Sequence, residues 1–252
     1  MTNQLSGDEI ELMKKSGAIL KLVMREIEAK LAPGISTDEL DKTAALKLES
    51  LKAKSSFKGY EVSGYGQYPA SICISINDEI VHGVPSKARI LKNGDILSID
   101  IGVNYKGYCT DSARTYQIGV VDNKTKELLE VTKKCLELAI KKAKVGNRIG
   151  AISHAVETLA KSHGFSVVRD LVGHGVGRKP HMDPQIPNFG EESDGCLITP
   201  GMALAIEPML TMGSSKIKVG PDGWALQTKD GSKAAHFEDT VIVTEQNPLV
   251  IT

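Results

Sequence analysis

The chain has 252 residues, 41% of them hydrophobic and 25% charged, enough to bury a substantial globular core. Lys+Arg and Asp+Glu balance at 31 each, so no net basic field recruits nucleic acid. No run nears the roughly 20 apolar residues that span a bilayer, and Asp8, Glu9, Glu11, Lys14 and Lys15 break up any leader-type core, so a soluble, cytoplasmic protein is expected.

Ser6 followed by Glu9 predicts a capping box. Ile10, Met13, Gly17, Leu20, Met24, Ile27 and Leu31 then fall at steps of three and four, the stripe of a long amphipathic helix that Pro33-Gly34 stops. A second capping box, Ser36 to Glu39, opens a helix through about Leu51. From Ile72 to Ile118 the pattern turns β-like. Helical periodicity returns over about 124–145 and 149–161, and strands and loops fill the rest. Cys73, Cys109, Cys135 and Cys196 have no CxxC spacing and read as reduced thiols.

The halves echo each other. A shift of 112 places Leu31 on Ala143, Gly34 on Gly146, Leu40 on Ile152 and Ala44 on Val156. This predicts an α+β fold with pseudo-twofold symmetry, its helices packed on a curved antiparallel sheet, as one domain over 1–252. Val120-Val121-Asp122-Asn123 is too short and apolar to be a linker.

Five residues stand out against their apolar or glycine-rich neighbours: Asp100, Asp111, His174, Glu207 and Glu238. An isolated ionised group is costly to bury, and a cation supplies the compensation. Four carboxylates and a neutral imidazole carry a formal −4, which two divalent ions would cancel. A turn centred between Tyr105 and Lys106 opposes residues whose numbers sum to 211, and so sets Asp100 directly against Asp111. Two carboxylates that close repel unless a cation lies between them. His174 sits in Gly173-His174-Gly175-Val176-Gly177-Arg178, which is not a dinucleotide loop because Arg178 stands where the third glycine belongs. Mostly oxygen donors with one nitrogen suit Mn, Fe, Co or Zn better than a structural cysteine-zinc site. The pattern points to a metal-dependent hydrolase.

These residues lie within a longer series of motifs: Pro69-Ala70-Ser71-Ile72-Cys73-Ile74-Ser75-Ile76-Asn77, Val81-His82-Gly83-Val84-Pro85, Gly94-Asp95-Ile96-Leu97-Ser98-Ile99-Asp100, the His174 loop, Pro184-Gln185-Ile186-Pro187-Asn188, Ala205-Ile206-Glu207-Pro208-Met209 and Phe237-Glu238. In that order they resemble the type I methionine aminopeptidases along nearly the whole chain. The resemblance implies the pita-bread fold, with two divalent metal ions between the halves. It makes Asp100 a chelator of one ion, Asp111 and Glu238 bridges, and His174 and Glu207 ligands of the other. His82 and His181 become substrate contacts, His181 at the scissile carbonyl. A hydroxide bridging the metals would attack, with Glu207 as proton shuttle. Tyr65, Tyr68, Cys73 and Trp224 would form the methionine slot. The implied substrate is the N-terminal methionine of nascent polypeptides followed by a small residue, met near the ribosome by a monomer.

Three positions depart from the family pattern. Met182 follows His181 where an acid is usual, Pro180 replaces a larger apolar residue, and Asp239 replaces a frequent histidine. No ligand is lost, which disfavours a silent, partner-binding relative. The short N-terminus, with neither a zinc-finger extension nor a long insertion, points to type I and leaves no room for the extra domain of proline-type relatives.

Overall fold

A computed structural model describes residues 4–252. Helices α1 (Gly7–Glu28) and α2 (Thr37–Ser50) precede one run of antiparallel strands, and α3 (Asn123–Lys142) and α4 (Ile149–Ser162) precede a second. The capping boxes at Ser6/Glu9 and Ser36/Glu39 both form, each satisfying backbone N–H groups at a helix start. The helix α1 ends at Glu28, short of the Pro33-Gly34 break, and a looser turn covers the gap.

The internal repeat is plain in the helices. Thr37 to Ile149 and Ser50 to Ser162 are both displacements of 112, so α2 and α4 match end for end. Gly34 and Gly146, at φ 96° and 89°, make the same left-handed turn before them. Isolated bridges Ser36–Ile90 and Arg148–Leu197 anchor the two helix starts alike.

Among the described residues the antiparallel ladders divide into five sheets. In the first half the long hairpin of Ile96–Tyr105 and Tyr108–Gln117 pairs with Cys73–Ile76 and Lys54–Ser55. In the second, strands Met182–Pro187, Val172–Gly175, Ala203–Ile206, Asp239–Ile242 and Leu249–Val250 follow in spatial order. The first hairpin strand illustrates the layering: Leu97, Ile99, Ile101 and Val103 pack beneath Leu20, Ile27, Leu40 and Leu48 of α1 and α2. Leu128, Cys135, Ile152 and Val156 of α3 and α4 cover Leu204, Ile206 and Val241 in the other half. Backbone bonds from Glu238 N to the Ala113 carbonyl (2.9 Å) and from Ala113 N to the Glu238 carbonyl (3.3 Å) stitch the halves together.

The hairpin register differs from the expected one by two residues. The hairpin turns on Lys106-Gly107, both at positive φ (52° and 89°), so Tyr105 faces Tyr108 and paired numbers sum to 213. Asp100 is therefore opposite Ala113, and Asp111 is opposite Gly102. The two aspartates are diagonal neighbours on one face. The turn type decided this, because a two-residue hairpin turn with both residues at positive φ favours a glycine in the second place. Short strands at Lys54–Ser55, Glu61–Val62, Gly66–Gln67 and Met182–Pro187 escaped the periodicity reading. Among the described residues no helix is long and apolar enough to cross a membrane.

Candidate metal centre and substrate cavity

The seam between the halves opens into a cavity of about 350 Å³ lined by Asp100, Asp111, His174, Glu207 and Glu238. Alternation along the strands explains the convergence. Ile99 and Ile101 point into the helical layer, so Asp100 between them points the other way, beside its cross-strand partner Cys73. Asp111 shares that face, and the position opposite it is Gly102, where a Cβ would strike the Ser56 hydroxyl and the Phe57 ring. Asp111 N donates to Thr240 Oγ1 across the seam at 2.8 Å, which fixes its backbone, and Ser112 N donates to Asp111 Oδ1 at 3.1 Å, which orients its carboxylate.

His174 needs the glycines beside it. A Cβ on Gly173 would lie 2.5 Å from the Ala205 carbonyl, and one on Gly175 would lie 2.1 Å from that of Asp183. The strand thus runs closely between its two neighbours. His174 Nδ1 donates to the Gly175 carbonyl at 3.0 Å, leaving the Nε2 lone pair facing the cavity, the tautomer a metal ligand requires. Glu207 lies between the strands Ala203–Ile206 and Met209–Thr211, its Oε1 3.5 Å from His174 Nε2.

Ligand atoms of Asp111, His174 and Glu238 all lie within 4.8 Å of one another. Asp111 and Glu238 are only 3% and 2% exposed, so their charge has little water to answer it. Burial raises all four carboxyls: Asp100 to about 6, and Asp111, Glu207 and Glu238 well above the usual carboxylate range. For Asp111 and Glu238 the neighbouring carboxylates add to the burial effect. Asp100 Oδ1 and Glu238 Oε1 are buried without any hydrogen-bond partner. Orphaned anionic oxygens around one imidazole fit divalent metal, and the cluster is one or more such sites.

Two further histidines line the cavity. Desolvation by the cavity wall lowers His82 to about 4 and lowers His181 as well, although both residues keep an exposed face. His82 sits at φ 60°, a left-handed conformation a non-glycine residue rarely adopts. Its neighbour Gly83 holds it there: Gly83 N bonds to Ser75 Oγ, and the Gly83 carbonyl accepts from Ile74 N and the Tyr68 phenol. The His181 ring stands edge-on to His174, with centroids 4.5 Å apart, and against Tyr60 at 5.1 Å.

The apolar wall contains Tyr68, Cys73 and Trp224, with Phe57, Val62, Val81 and Met209 beside them. Tyr68 and Trp224 meet edge to face at 5.2 Å. Tyr65 does not line the cavity; it is half-exposed and packs on Trp224 at 5.7 Å. Tyr60, Val62 and Asp170 reach the cavity from loops and a short strand whose sequences carry no periodic signal. His236 was also missed, although a signal existed. It precedes Glu238 by two in an apolar run, the spacing that puts both on one face of an extended segment.

An antiparallel pseudo-twofold fold with acids and an imidazole at the seam defines a metallopeptidase, and the pattern of Metallopeptidase family M24 matches residues 11–245. Within that class the chain belongs to the type I methionine aminopeptidases. It is 46% identical over 244 residues to methionine aminopeptidase 1 of Bacillus subtilis, covering 97% of this chain and 96% of that one. The crystal structure of the Thermotoga maritima methionine aminopeptidase superposes with a TM-score of 0.96 at 42% identity, covering 100% and 99% of the two chains. The fold is the pita-bread fold. Prolidase from Pyrococcus furiosus, at 21% identity and a TM-score of 0.78, shares the fold, and this chain spans 65% of its length. The protein is a metal-dependent aminopeptidase.

Proposed function

We propose that the protein releases methionine from the N-terminus of polypeptides with a small second residue, using two divalent ions held by Asp100, Asp111, His174, Glu207 and Glu238. The observation that carries this reading is the sharing of one cavity by five oxygen and nitrogen donors and a mostly apolar wall. Asp111 and Glu238, reaching it from opposite sides of the seam, suit bridging positions. When bound, the ions acidify water, polarise a carbonyl and anchor a free α-amine.

The chain's own residues do the rest. Tyr68, Cys73 and Trp224 receive the unbranched, polarisable methionine side chain, with Tyr65 backing Trp224. His181 donates to the scissile carbonyl as negative charge develops on its oxygen. His82, held rigidly by the Gly83 contacts, orients the peptide group. Glu207 takes the proton of the attacking water and passes it to the leaving amine, a role suited to a carboxyl whose burial has raised its proton affinity. One catalytic domain, acting as a monomer on nascent chains, suffices for this reading. Incubating the chelated protein with a Met-Ala-Ser peptide, then adding Co²⁺ or Mn²⁺, tests it. Methionine released only after metal addition is expected; no release under either ion would favour a silent, partner-binding protein.

A further inference from the structure

One imidazole behind the cavity lining, against Glu207, has no part in the chemistry above. His236 is 1% exposed, and neither of its ring nitrogens has a hydrogen-bond partner. A buried imidazole with no partner is costly, and such a group in a native site calls for an explanation. Its backbone leaves little freedom. His236 N donates to Thr115 Oγ1 at 2.9 Å, and Thr115 Oγ1 donates back to the His236 carbonyl at 2.8 Å. On the other edge His236 pairs with Met209, two residues beyond Glu207.

The group within bonding range of the ring is Glu207, while Asp100 acts on it only electrostatically from farther away. His236 Nε2 lies 3.3 Å from Glu207 Oε2, near enough to bond but off the line of a formed bond. Glu207 Oε1 is meanwhile 3.5 Å from His174 Nε2. The carboxylate is thus bracketed by two imidazoles, one at each oxygen. His174 has its Nδ1 tied to a backbone carbonyl and offers a lone pair at Nε2. His236 has no carbonyl at Nδ1, so its proton is free to sit on Nε2 and face Oε2.

We propose that His236 is a positioning residue: its Nε2–H donates to Glu207 Oε2 and so directs Oε1 to the His174 side of the cavity. This rests on reading Glu207 as a metal ligand and proton carrier. The bond removes one rotational freedom of Glu207, occupies one of its oxygens, and leaves the other for the metal. His236 is not itself a ligand here, since its Nε2 proton points at the carboxylate.

Ring-nitrogen NMR of the wild-type chain in its chelated and zinc-loaded forms tests this, with the His236 signals assigned by their loss in His236→Gln. A proton on Nε2 in both forms is expected. A proton on Nδ1, or loss of the Nε2 proton on zinc loading, overturns the proposal, the latter by making His236 a ligand. Zinc titration by calorimetry gives the second readout. His236→Leu, which removes the donor at similar size, is expected to weaken the Glu207-dependent site by about 10–100-fold, and His236→Gln, which keeps an N–H, to stay within about threefold of wild type. Equal losses in both variants would show that ring volume matters and donation does not. If the Leu variant does not fold, the wild-type tautomer and the Gln variant decide between the same outcomes. Failure of the wild-type chain to take up zinc would sink the reading of the metal centre, and the tautomer would still report the Glu207 contact separately.

Discussion

Arg114 holds Asp239 at 2.5 Å across the seam, and the same guanidinium bonds to the Glu238 carbonyl. Asp239 is 8% exposed, and burial raises its carboxyl even though Arg114 and Thr252 draw it back down. Removing the cation would leave that carboxylate unanswered and free the link between strands that carries Glu238. Arg114→Met is expected to lose about 3 kcal/mol of stability, the scale for breaking a buried pair, read as a lower urea midpoint in the chelated protein. Restoring most of the loss with Asp239→Asn in the same chain would identify the unpaired charge as the cause.

Steric room around His174 gives a second expectation. Gly175→Ala would place a methyl carbon 2.1 Å from the Asp183 carbonyl, and backbone there cannot swing aside as a side chain could. Overpacking of this kind costs roughly 1–3 kcal/mol. Because the displaced strand carries His174, metal affinity should fall together with the melting temperature. A variant with wild-type affinity would place the strand's tolerance above what its geometry suggests.

The helices and their repeat were legible because burial stripes and capping boxes are local: among the pairs related by the shift of 112, Leu40, Ala44, Ile152 and Val156 are all at most 1% exposed. The clustering of Asp100 and Asp111 was legible for a partly mistaken reason. The pleat preserves the face under a two-residue change of register, so the diagonal pair still shares a side although the turn was centred one residue early. His236 was overlooked because its meaning lies in Glu207, 29 positions away, and no local pattern links them. Tyr65 misled in the opposite direction: an aromatic beside a slot can support it from outside.

Acid should reveal the clamp at the start of α1. Glu9 accepts from Ser6 N at 2.8 Å, from Arg178 Nε at 2.6 Å and from the Tyr108 phenol at 2.9 Å. The Ser6 backbone bond foremost, with Arg178 and Tyr108, lowers its carboxyl to about 2. A carboxyl depressed in the folded state stabilises it above the unfolded value near 4.5, and that contribution disappears as pH falls through about 2. Glu9→Gln should therefore lower the urea midpoint near neutrality, with the gap to wild type closing as the solution is acidified through this window. A gap independent of pH would assign the effect to shape.

Metal stoichiometry tests the seam. Asp111 reaches the cluster from the hairpin and Glu238 from the other half, so a carboxylate lost at either place removes a shared donor. Asp111→Asn keeps the size and the backbone N–H bond to Thr240 Oγ1 while removing the charge. It is expected to bind fewer ions per chain than wild type by elemental analysis, and to gain less thermal stability on Mn²⁺ addition, since stabilisation follows the occupancy of the folded state. Retention of both ions at wild-type affinity would count against a bridging role.

His181 separates binding from turnover. Its ring is edge-on to His174 at 4.5 Å and against Tyr60 at 5.1 Å, so it shares the cavity with the donors without belonging to the Asp111–His174–Glu238 cluster. Desolvation favours its neutral form, and a neutral ring can still present one N–H to a developing oxyanion. Losing such a donor lowers turnover by about two orders of magnitude or more. In His181→Ala that loss should appear in kcat, with metal content by elemental analysis unchanged. Parallel loss of metal would instead make His181 part of the metal centre, and a drop confined to KM would make it a contact that treats ground state and transition state alike.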